Sequence, residues 1–425
     1  MVTDLRNLNS ATEILEKKVA QYAATRYAVL CSSGRSAIRF SLLALGIGRG
    51  EVIIPDLSCQ ILPITVFCVG ATPRFCDIEK ETLGLSPRRF PEIIDPNTKA
   101  VVFVHPYGIP VDPSPILEVA QRKGIAFIDD AAQALGATIN GRMVGSFGDV
   151  GIITFNKFLN VNSGAVALTN NEEIAEKTRS IRENYERRSF VASLGYRIME
   201  FLGLKSSKLG ETIFSKDNYI YGKLSKKFVK KHFQMVDGWV KGDQQLHEMQ
   251  WSNALPNEQV AQLMGYSGKY YYRRKLENPE VLALQSEFEN VRKYLEHRNR
   301  IAKKYENHLD AEDFSKFVVP KNSVPSYMRY PILFSSETRR SICINNLVQA
   351  GFPIDYTYEP LHTSPFFNSE NRDSRFSESI YMSKHLLPLP VNNGLSTRDV
   401  EKIISIVNSP TPKCRKNEVV NKRAH

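Results

Sequence analysis

Apolar residues in the first part of the chain form short runs that alternate with stretches of helical spacing. The strand-like runs are AVLCSS (28–33), EVIIP (51–55), TPRFCDI (72–78), KAVVFVHPYG (99–108) and GIAFIDDAAQA (124–134). Apolar positions three or four apart predict helices at 11–24, 36–45, 61–69 and 114–123. Short buried strands that alternate with helices are typical of a parallel sheet covered on both faces. We therefore predict an α/β fold with a mostly parallel sheet.

The rest of the chain is organised differently. The alternation is lost at about 190–250, resumes near Leu255, and leads into a long helical stretch through about Leu309. A strand run (YPILF, 330–334) and a helix (338–350) follow. The predicted domains are a large one at 1–279 with a helical insertion at about 190–250, a smaller α+β domain at 280–408, and a disordered tail at 409–425.

Polar residues follow each apolar run. In sheets of this kind the active site forms at the carboxyl ends of the strands, where loops meet helix N-termini. The residues at those ends are Ser33-Gly34, Asp56 to Cys59, His105 to Tyr107, Asp130 to Gln133 and Phe155 to Lys157.

Composition narrows the class of protein. With 42% hydrophobic and 24% charged residues, the 425-residue chain has the profile of a globular protein with a large core. Its N-terminus lacks the apolar segment of a signal peptide, and no run approaches the roughly 20 apolar residues of a spanning helix, so we expect a cytoplasmic protein. The six cysteines lack paired CxxC spacing, and no metal site is expected.

The formal charge of +11 is concentrated in KLSKKFVKK (223–231) and in the tail after Pro412. In the segment at 190–250, lysines at helical spacing lie among aromatic residues. Three interpretations stay open: a solvated helix that covers the dimer or the substrate entrance, a peripheral contact with an anionic membrane surface, and an attraction for a nucleotide diphosphate. The segment contains no nucleic-acid-recognition motif, so nucleic acid is not an expected partner.

A site for pyridoxal phosphate needs a lysine amine, a carboxylate for the pyridine nitrogen, and backbone N–H groups at a helix N-terminus for the phosphate. The chain carries a series of segments that resembles the DegT/DnrJ/EryC1/StrS family of fold-type-I sugar aminotransferases. In order they are SSGRSAIRFSLLALGIGRGEVIIP, VGATPRFCDI, KAVVFVHPYGIPVD, FIDDAAQALGA, GRMVGSFGDVGIITFNKFLNVNSGAVALTN, ALPNEQVAQL, YPILF, YEPLH and LPLPVNNGLS.

The resemblance assigns the central residues. Lys157 matches the catalytic lysine that forms the Schiff base with the cofactor, followed in register by NSGAVAL, although ITFNK has fewer residues before the lysine than is usual in the family. Asp130 matches the carboxylate that pairs with the pyridine nitrogen, and Gln133 the residue beside the ring's phenolic oxygen. Asp129 is the poorer candidate, since alternate residues of a strand point to opposite faces.

The resemblance also implies residues around the cofactor. Gly34, Arg35 and Ser36 match the phosphate-binding turn, Thr154 matches a hydroxyl that contacts the phosphate, and Cys59 stands where the family places a residue, often aromatic, over the ring. An asparagine that reaches the phosphate of the partner subunit corresponds to Asn253, with Ser252 as the alternative. His362 in YEPLH is either a substrate contact or a buried structural histidine.

The function that the resemblance implies is the transfer of an amino group from an amino acid, glutamate being the expected donor, to a keto-sugar carried on a nucleotide diphosphate, in polysaccharide or glycoconjugate biosynthesis. A homodimer is expected, because the family completes its site across subunits. A related branch that dehydrates sugars has histidine at the position of Lys157, so the lysine argues against that branch. Two alternatives stay open: a pyridoxal-phosphate enzyme that acts on a non-sugar ketone, and a non-catalytic binding or regulatory member.

Overall fold

The computed structural model of the protein describes seven stretches of the chain. These are residues 2–184, 275–309, 313–317, 319–352, 354, 358–363 and 374–409. The predicted insertion at 190–250, Asn253, Ser252 and the predicted tail beyond residue 409 lie outside the described residues.

Within the described residues, the large domain is built on a seven-stranded sheet. Its strands are β1 (Tyr27–Cys31), β2 (Glu51–Pro55), β3 (Thr72–Cys76), β4 (Thr98–Val104), β5 (Ala126–Asp130), β8 (Val150–Thr154) and β9 (Ala165–Thr169). Two short strands, β6 (Thr138–Ile139) and β7 (Arg142–Met143), form a hairpin beside it. The spatial order is β1-β9-β8-β5-β4-β2-β3; the five strands from β8 to β3 run parallel, and β9 is antiparallel to both of its neighbours.

Helices cover both faces of this sheet. They include α1 (Val2–Tyr22), α2 (Gly34–Ala44), α3 (Ile61–Phe67), α4 (Ser114–Lys123) and α5 (Glu172–Glu183). Alternate residues of one strand enter different cores: Val52 and Ile54 pack with α2 and α3, whereas Ile53 packs with α4. Because both faces are buried, the strands contain continuous apolar runs, with polar residues mainly at their ends. This arrangement confirms the predicted α/β fold.

The second, smaller domain has its own antiparallel sheet and helices. The described elements from residue 278 onward are α6 (Asn278–Phe288), α7 (Val291–His308), β10 (Phe314–Lys316), β11 (Ser323–Val324), β12 (Arg329–Phe334), α8 (Glu337–Gln349), α9 (Ser377–His385), β13 (Leu386–Pro390) and α10 (Thr397–Asn408). Of these, α6 packs in the core of the large domain. The sheet order is β10-β12-β13, and β11 pairs with β6 of the large domain.

Hydrophobic packing divides the chain differently from the predicted boundary at residue 280. Leu284 and Phe288 of α6 are buried in the same core as α1, and Val291 at the start of α7 joins them. Ile301 and Tyr305, farther along α7, belong to the core of the small domain. The chain therefore passes from one core to the other within α7. The sequence does not reveal this position, since the apolar pattern of a helix continues unbroken across it.

Two buried carboxylates of the large domain bind the segment that precedes β13. Asp56, after β2, accepts hydrogen bonds from the backbone N–H and Nδ1 of His362, each at 2.8 Å. Asp77, after β3, accepts from the backbone N–H groups of Glu378 (3.1 Å) and Ser379 (2.9 Å) at the start of α9. Charge-assisted bonds of this kind hold the small domain against the carboxyl edge of the large sheet.

None of the helices in the described part of the chain is both long enough and apolar enough to cross a membrane.

Candidate active site

The carboxyl ends of β2, β4, β5 and β8 meet at one edge of the large sheet, since these strands are parallel and adjacent. Asp130 is the last residue of β5, Thr154 is the last of β8, and Lys157 lies in the turn directly after it. Gly34 opens α2 beside this edge. The fold thus brings together residues that the sequence predicts for one site.

Lys157 lies in a partly buried position. Desolvation lowers the pKa of its ammonium group, and the charge of Arg329 acts in the same direction, whereas Cys59 and Asp130 oppose the change without reversing it. A lowered pKa enlarges the fraction of neutral amine, which is the form that attacks a carbonyl carbon.

Asp130 and Asp129 have different surroundings. Asp129 is fully buried, and its carboxylate accepts hydrogen bonds from the backbone N–H groups of Gly145 (2.7 Å) and Phe147 (2.9 Å). Asp130 accepts from the N–H of Ala132 at 2.9 Å and lies near Lys157. Burial raises the pKa of Asp130 despite that hydrogen bond and the charge of Lys157. A bound cationic group would relieve this cost, so Asp130 is the carboxylate suited to a ligand.

His105, just after β4, orients Asp129 from the other side. Its Nδ1 accepts a hydrogen bond from the backbone N–H of Val111 at 3.0 Å, so the neutral ring carries its proton on Nε2. That nitrogen lies 2.7 Å from Oδ1 of Asp129. The pair is fully buried and belongs to the framework that supports the strand ends.

The amide of Gln133 has a defined orientation. Its Oε1 accepts from the backbone N–H of Tyr107 at 3.0 Å, and its Nε2 donates to the Tyr358 hydroxyl at 3.1 Å. Because the amide nitrogen has two N–H groups, this orientation presents donors, and no acceptor, on the Tyr358 side. A phenolate oxygen requires a donor of that kind.

Three serines lie at the N-terminus of α2. Ser33 is its N-cap and accepts from the backbone N–H of Ser36 at 3.3 Å. The Ser36 hydroxyl lies 3.0 Å from that of Ser33 and 2.9 Å from that of Ser32. Arg35, partly buried, follows Gly34 in the first turn. Outward-facing backbone N–H groups and the positive end of the helix dipole favour a phosphate here.

The helix N-terminus packs directly on β8. A Cβ at Gly34 would lie 2.9 Å from Cγ2 of Thr154, so glycine permits this approach. The hydroxyl of Thr154 donates to the carbonyl of Ala132 at 2.7 Å. Thr154 therefore joins the turn at Gly34 to the loop that begins at Asp130.

The remaining predicted residues differ in position. Cys59 is exposed and lies near Lys157. His362 is only 4% exposed, is bound to Asp56, and stacks on Phe376 with ring centroids 4.2 Å apart. Those contacts favour the structural alternative for His362. Asn253 lies outside the described residues.

These groups fit pyridoxal phosphate by their chemistry. The helix N-terminus matches the phosphate, the buried Asp130 a protonated ring nitrogen, the amide donor of Gln133 a phenolate, and the amine of Lys157 an aldehyde. Among the described residues, no group of three or more His, Cys, Asp and Glu side chains is arranged to hold a metal ion.

Sequence reasoning did not assign Tyr358, Arg298 or Asn393 to the site. Tyr358 stacks on Tyr107 at 6.0 Å between ring centroids, besides its bond to Gln133. Arg298 donates to the carbonyl of Lys157. The only available signal was the position of Tyr358 at the start of YEPLH; neither Arg298, within an ordinary helical pattern, nor Asn393, in a loop, has a comparable one.

Comparisons with known proteins agree with this geometry. The model of the DegT/DnrJ/EryC1/StrS aminotransferase family matches residues 5–201 and 241–408. The unmatched stretch falls within the segment at 190–250 where the sequence pattern departs from the family. The chain is 39% identical over 170 residues to a GDP-perosamine synthase of Caulobacter vibrioides, which covers 39% of this chain and 46% of the relative.

A second relative is a UDP-N-acetyl-3-dehydro-alpha-D-glucosamine 3-aminotransferase of Acidithiobacillus ferrooxidans. It is 38% identical over 181 residues, covering 42% of this chain and 49% of the relative. The chain thus spans about half the length of the curated relatives it matches. The solved structure of DesV from S. venezuelae superposes with a TM-score of 0.68 at 22% identity, covering 94% of this chain and 88% of DesV, which shows a shared fold.

Proposed function

Because the chain belongs to the DegT/DnrJ/EryC1/StrS aminotransferase family, we propose that it transfers an amino group from an amino acid to a keto-sugar carried on a nucleotide diphosphate. Glutamate is the proposed donor. The observation that supports the proposal best is the position of Lys157, in the turn after β8, near the buried carboxylate of Asp130 at the end of the neighbouring parallel strand β5.

The cofactor of this family is pyridoxal phosphate, which supplies an electron sink for the carbon that loses a proton. We propose that Gly34, Arg35 and Ser36 hold its phosphate, Asp130 its ring nitrogen, and Gln133 its phenolic oxygen. An ionised Asp130 keeps the ring nitrogen protonated, and the N–H of Gln133 stabilises negative charge on the oxygen.

Lys157 is the proposed proton carrier. Its neutral amine would accept the proton that the carbon of the amino donor loses in the first half of the exchange, and in the second half its ammonium form would donate a proton to the carbon of the keto-sugar that receives the amino group. Burial of the site favours this role, since a desolvated amine stays neutral closer to physiological pH than an exposed lysine does. The charge of Asp130 acts in the opposite direction and raises the pKa of Lys157, without outweighing the effect of burial.

Several finer features also belong to the proposal. The names of two relatives support a nucleotide-sugar acceptor and, with it, a place in polysaccharide or glycoconjugate biosynthesis. The sequence also leads us to expect a homodimer in which Asn253 reaches the phosphate of the partner subunit, and a cytoplasmic location. A further expectation is contact between the segment at 190–250 and an anionic membrane surface. Recovery of equal amounts of protein in the supernatant with anionic and neutral liposomes would argue against the membrane contact.

The first experiment compares wild type, Lys157→Ala and a control, Lys177→Ala. Lys177 lies on α5 with a side chain 55% exposed. With added pyridoxal phosphate, wild type and control should be yellow, lose that absorbance with glutamate, and regain it with a keto-sugar acceptor; Lys157→Ala should form no borohydride-reducible protein adduct. If all three proteins behave alike, Lys157 has no catalytic role and the non-catalytic alternative is favoured.

A second experiment separates the acceptor classes. The amino-loaded protein is offered GDP-linked and UDP-linked keto-sugars and, in parallel, simple keto acids and ketones. Recovery of the yellow form only with nucleotide-linked sugars supports the proposal. Recovery only with the simple ketones favours the non-sugar alternative instead.

A further inference from the structure

The turn that carries Lys157 is short and strongly anchored. Phe155 and Phe158 on either side of it are at most 1% exposed in the core of the large domain. The carbonyl of Phe155 accepts from the N–H groups of Phe158 (2.9 Å) and Leu159 (2.8 Å), which closes the turn. The carbonyl groups of Lys157 and Phe158 accept hydrogen bonds from side chains outside the turn.

Those partners come from the small domain and from α7. Arg298, on α7 and only 2% exposed, donates from Nη2 to the carbonyl of Lys157 at 2.8 Å. Asn393, between β13 and α10, donates from Nδ2 to the carbonyl of Phe158 at 2.7 Å. Two successive carbonyls of the turn are thus held by side chains 141 and 235 residues away in sequence.

The two side chains also bind each other. Nε of Arg298 donates to Oδ1 of Asn393 at 3.1 Å, and its Nη1 donates to the carbonyl of Tyr327 at 3.2 Å. The guanidinium lies over the ring of Phe158, 4.8 Å from its centroid. A planar fork of N–H donors satisfies three acceptors in fixed directions, which a lysine ammonium on a flexible stem does not.

From this geometry we propose that Arg298 and Asn393 are positioning residues for Lys157, which set the direction of its amine by holding the carbonyls of residues 157 and 158. The inference rests on the proposed role of Lys157. Because the partners lie in α7 and the small domain, the placement of that domain determines whether the lysine is aligned.

The test uses two substitutions and a matched control in the full-length protein. Arg298→Lys keeps the charge but removes the fork. Asn393→Asp keeps an acceptor for Arg298 and removes the donor to the Phe158 carbonyl. The control, Arg292→Lys, makes the same exchange on α7 at a side chain that is 89% exposed.

Two measurements separate positioning from general damage. One is the rate at which pyridoxal phosphate becomes attached to Lys157, trapped with borohydride and quantified by peptide mass spectrometry. The other is the affinity for pyridoxamine phosphate, which has the same ring and phosphate but no aldehyde to join the lysine. Circular dichroism reports whether each variant is folded.

We expect Arg298→Lys to slow attachment about tenfold or more, as a small misplacement of a reacting group does. Asn393→Asp should give a smaller loss in the same direction. Affinity for pyridoxamine phosphate should stay within about twofold of wild type, the spread of ordinary surface substitutions. Arg292→Lys should change neither measurement.

Attachment at the wild-type rate in both Arg298→Lys and Asn393→Asp would overturn the inference. So would a parallel loss of pyridoxamine phosphate affinity, because that pattern means damage to the whole site; if Arg298→Lys does not fold, Asn393→Asp alone decides between these outcomes. A wild-type protein that attaches the cofactor but transfers no amino group to any sugar refutes the proposed function, while the variant rates still test this inference. A wild type without a Lys157 adduct refutes both.

Discussion

The contact between Gly34 and Thr154 leads to the most specific prediction, which concerns Gly34→Ala. Gly34 does not have a left-handed backbone conformation, so alanine meets no conformational obstacle there. The obstacle is the added methyl group, whose carbon would lie 2.9 Å from Cγ2 of Thr154. Carbon atoms in contact are normally about 3.5–4.0 Å apart, so the start of α2 must retreat by about 0.6 Å or more.

Both stability and cofactor affinity should decrease. Overpacking costs about 1–3 kcal/mol, and the helix preference of alanine over glycine offsets about 0.5–1 kcal/mol of it. The free energy of unfolding should therefore decrease by about 1 kcal/mol, and by no more than about 2.5 kcal/mol. In the proposed site the phosphate accepts hydrogen bonds from the N–H groups of this turn, and displacement of the turn weakens those bonds. At about 1.5 kcal/mol for one such charge-assisted bond, the affinity for pyridoxal phosphate should decrease about tenfold.

A double-mutant cycle tests the cause. Thr154→Ser removes Cγ2 and keeps the hydroxyl that donates to Ala132. Urea unfolding and cofactor titration are measured for wild type, both single variants and the double variant. If the methyl contact is responsible, Thr154→Ser should restore most of what Gly34→Ala loses, with a coupling energy of about 1 kcal/mol. Strictly additive losses, or a Gly34→Ala variant with wild-type affinity, would refute the reasoning.

Three further predictions concern Asp130, Lys157 and His362. Asp130→Asn should raise the melting temperature of the cofactor-free protein at neutral pH and weaken cofactor binding. Burial raises the pKa of Asp130 in the folded state, so its ionisation costs stability as the pH rises from the unfolded-state pKa through the folded-state pKa. Calorimetry with and without cofactor checks this, and a lower melting temperature of the free variant would contradict it. The rate of cofactor attachment to Lys157 should reach half its maximum at a pH below the ordinary pKa of lysine. In Asp130→Asn this midpoint should lie at a still lower pH, because Asp130 raises the pKa of Lys157. A midpoint that moves to higher pH in the variant would contradict the prediction. His362→Ala should lower the free energy of unfolding by about 2–4 kcal/mol through loss of a buried ring and its bond to Asp56. A raised KM for the sugar without loss of stability would instead assign His362 to the substrate.

Much of the large domain follows from the sequence. The predicted strand at 51–55 and helix at 114–123 coincide with β2 and α4, and the other predicted boundaries in this domain mostly differ by a few residues. Continuous apolar runs are a strong signal because strands of a parallel sheet are buried on both faces. The α1 helix, by contrast, begins at Val2 instead of residue 11.

The sequence alone also predicted the candidate site at the strand ends. In a parallel sheet every carboxyl end faces the same edge, so Asp130 and Lys157 become neighbours once their strands are identified. The preference for Asp130 over Asp129 rested on the resemblance to the family, together with the alternation of strand residues. The structure adds the partners: Asp129 is held by backbone N–H groups and His105, while Asp130 lies near Lys157.

The tertiary structure alone decided which distant residues meet. Three features cannot be predicted from the local pattern of apolar and polar residues. They are the antiparallel insertion of β9 between β1 and β8, the hydrogen bond between Asp56 and His362 across 306 positions, and the support of Lys157 by Arg298 and Asn393. Periodicity records which face of an element is buried but not what buries it. The partner is selected by packing and by the need to satisfy buried polar groups in the folded chain, and both depend on all elements at once.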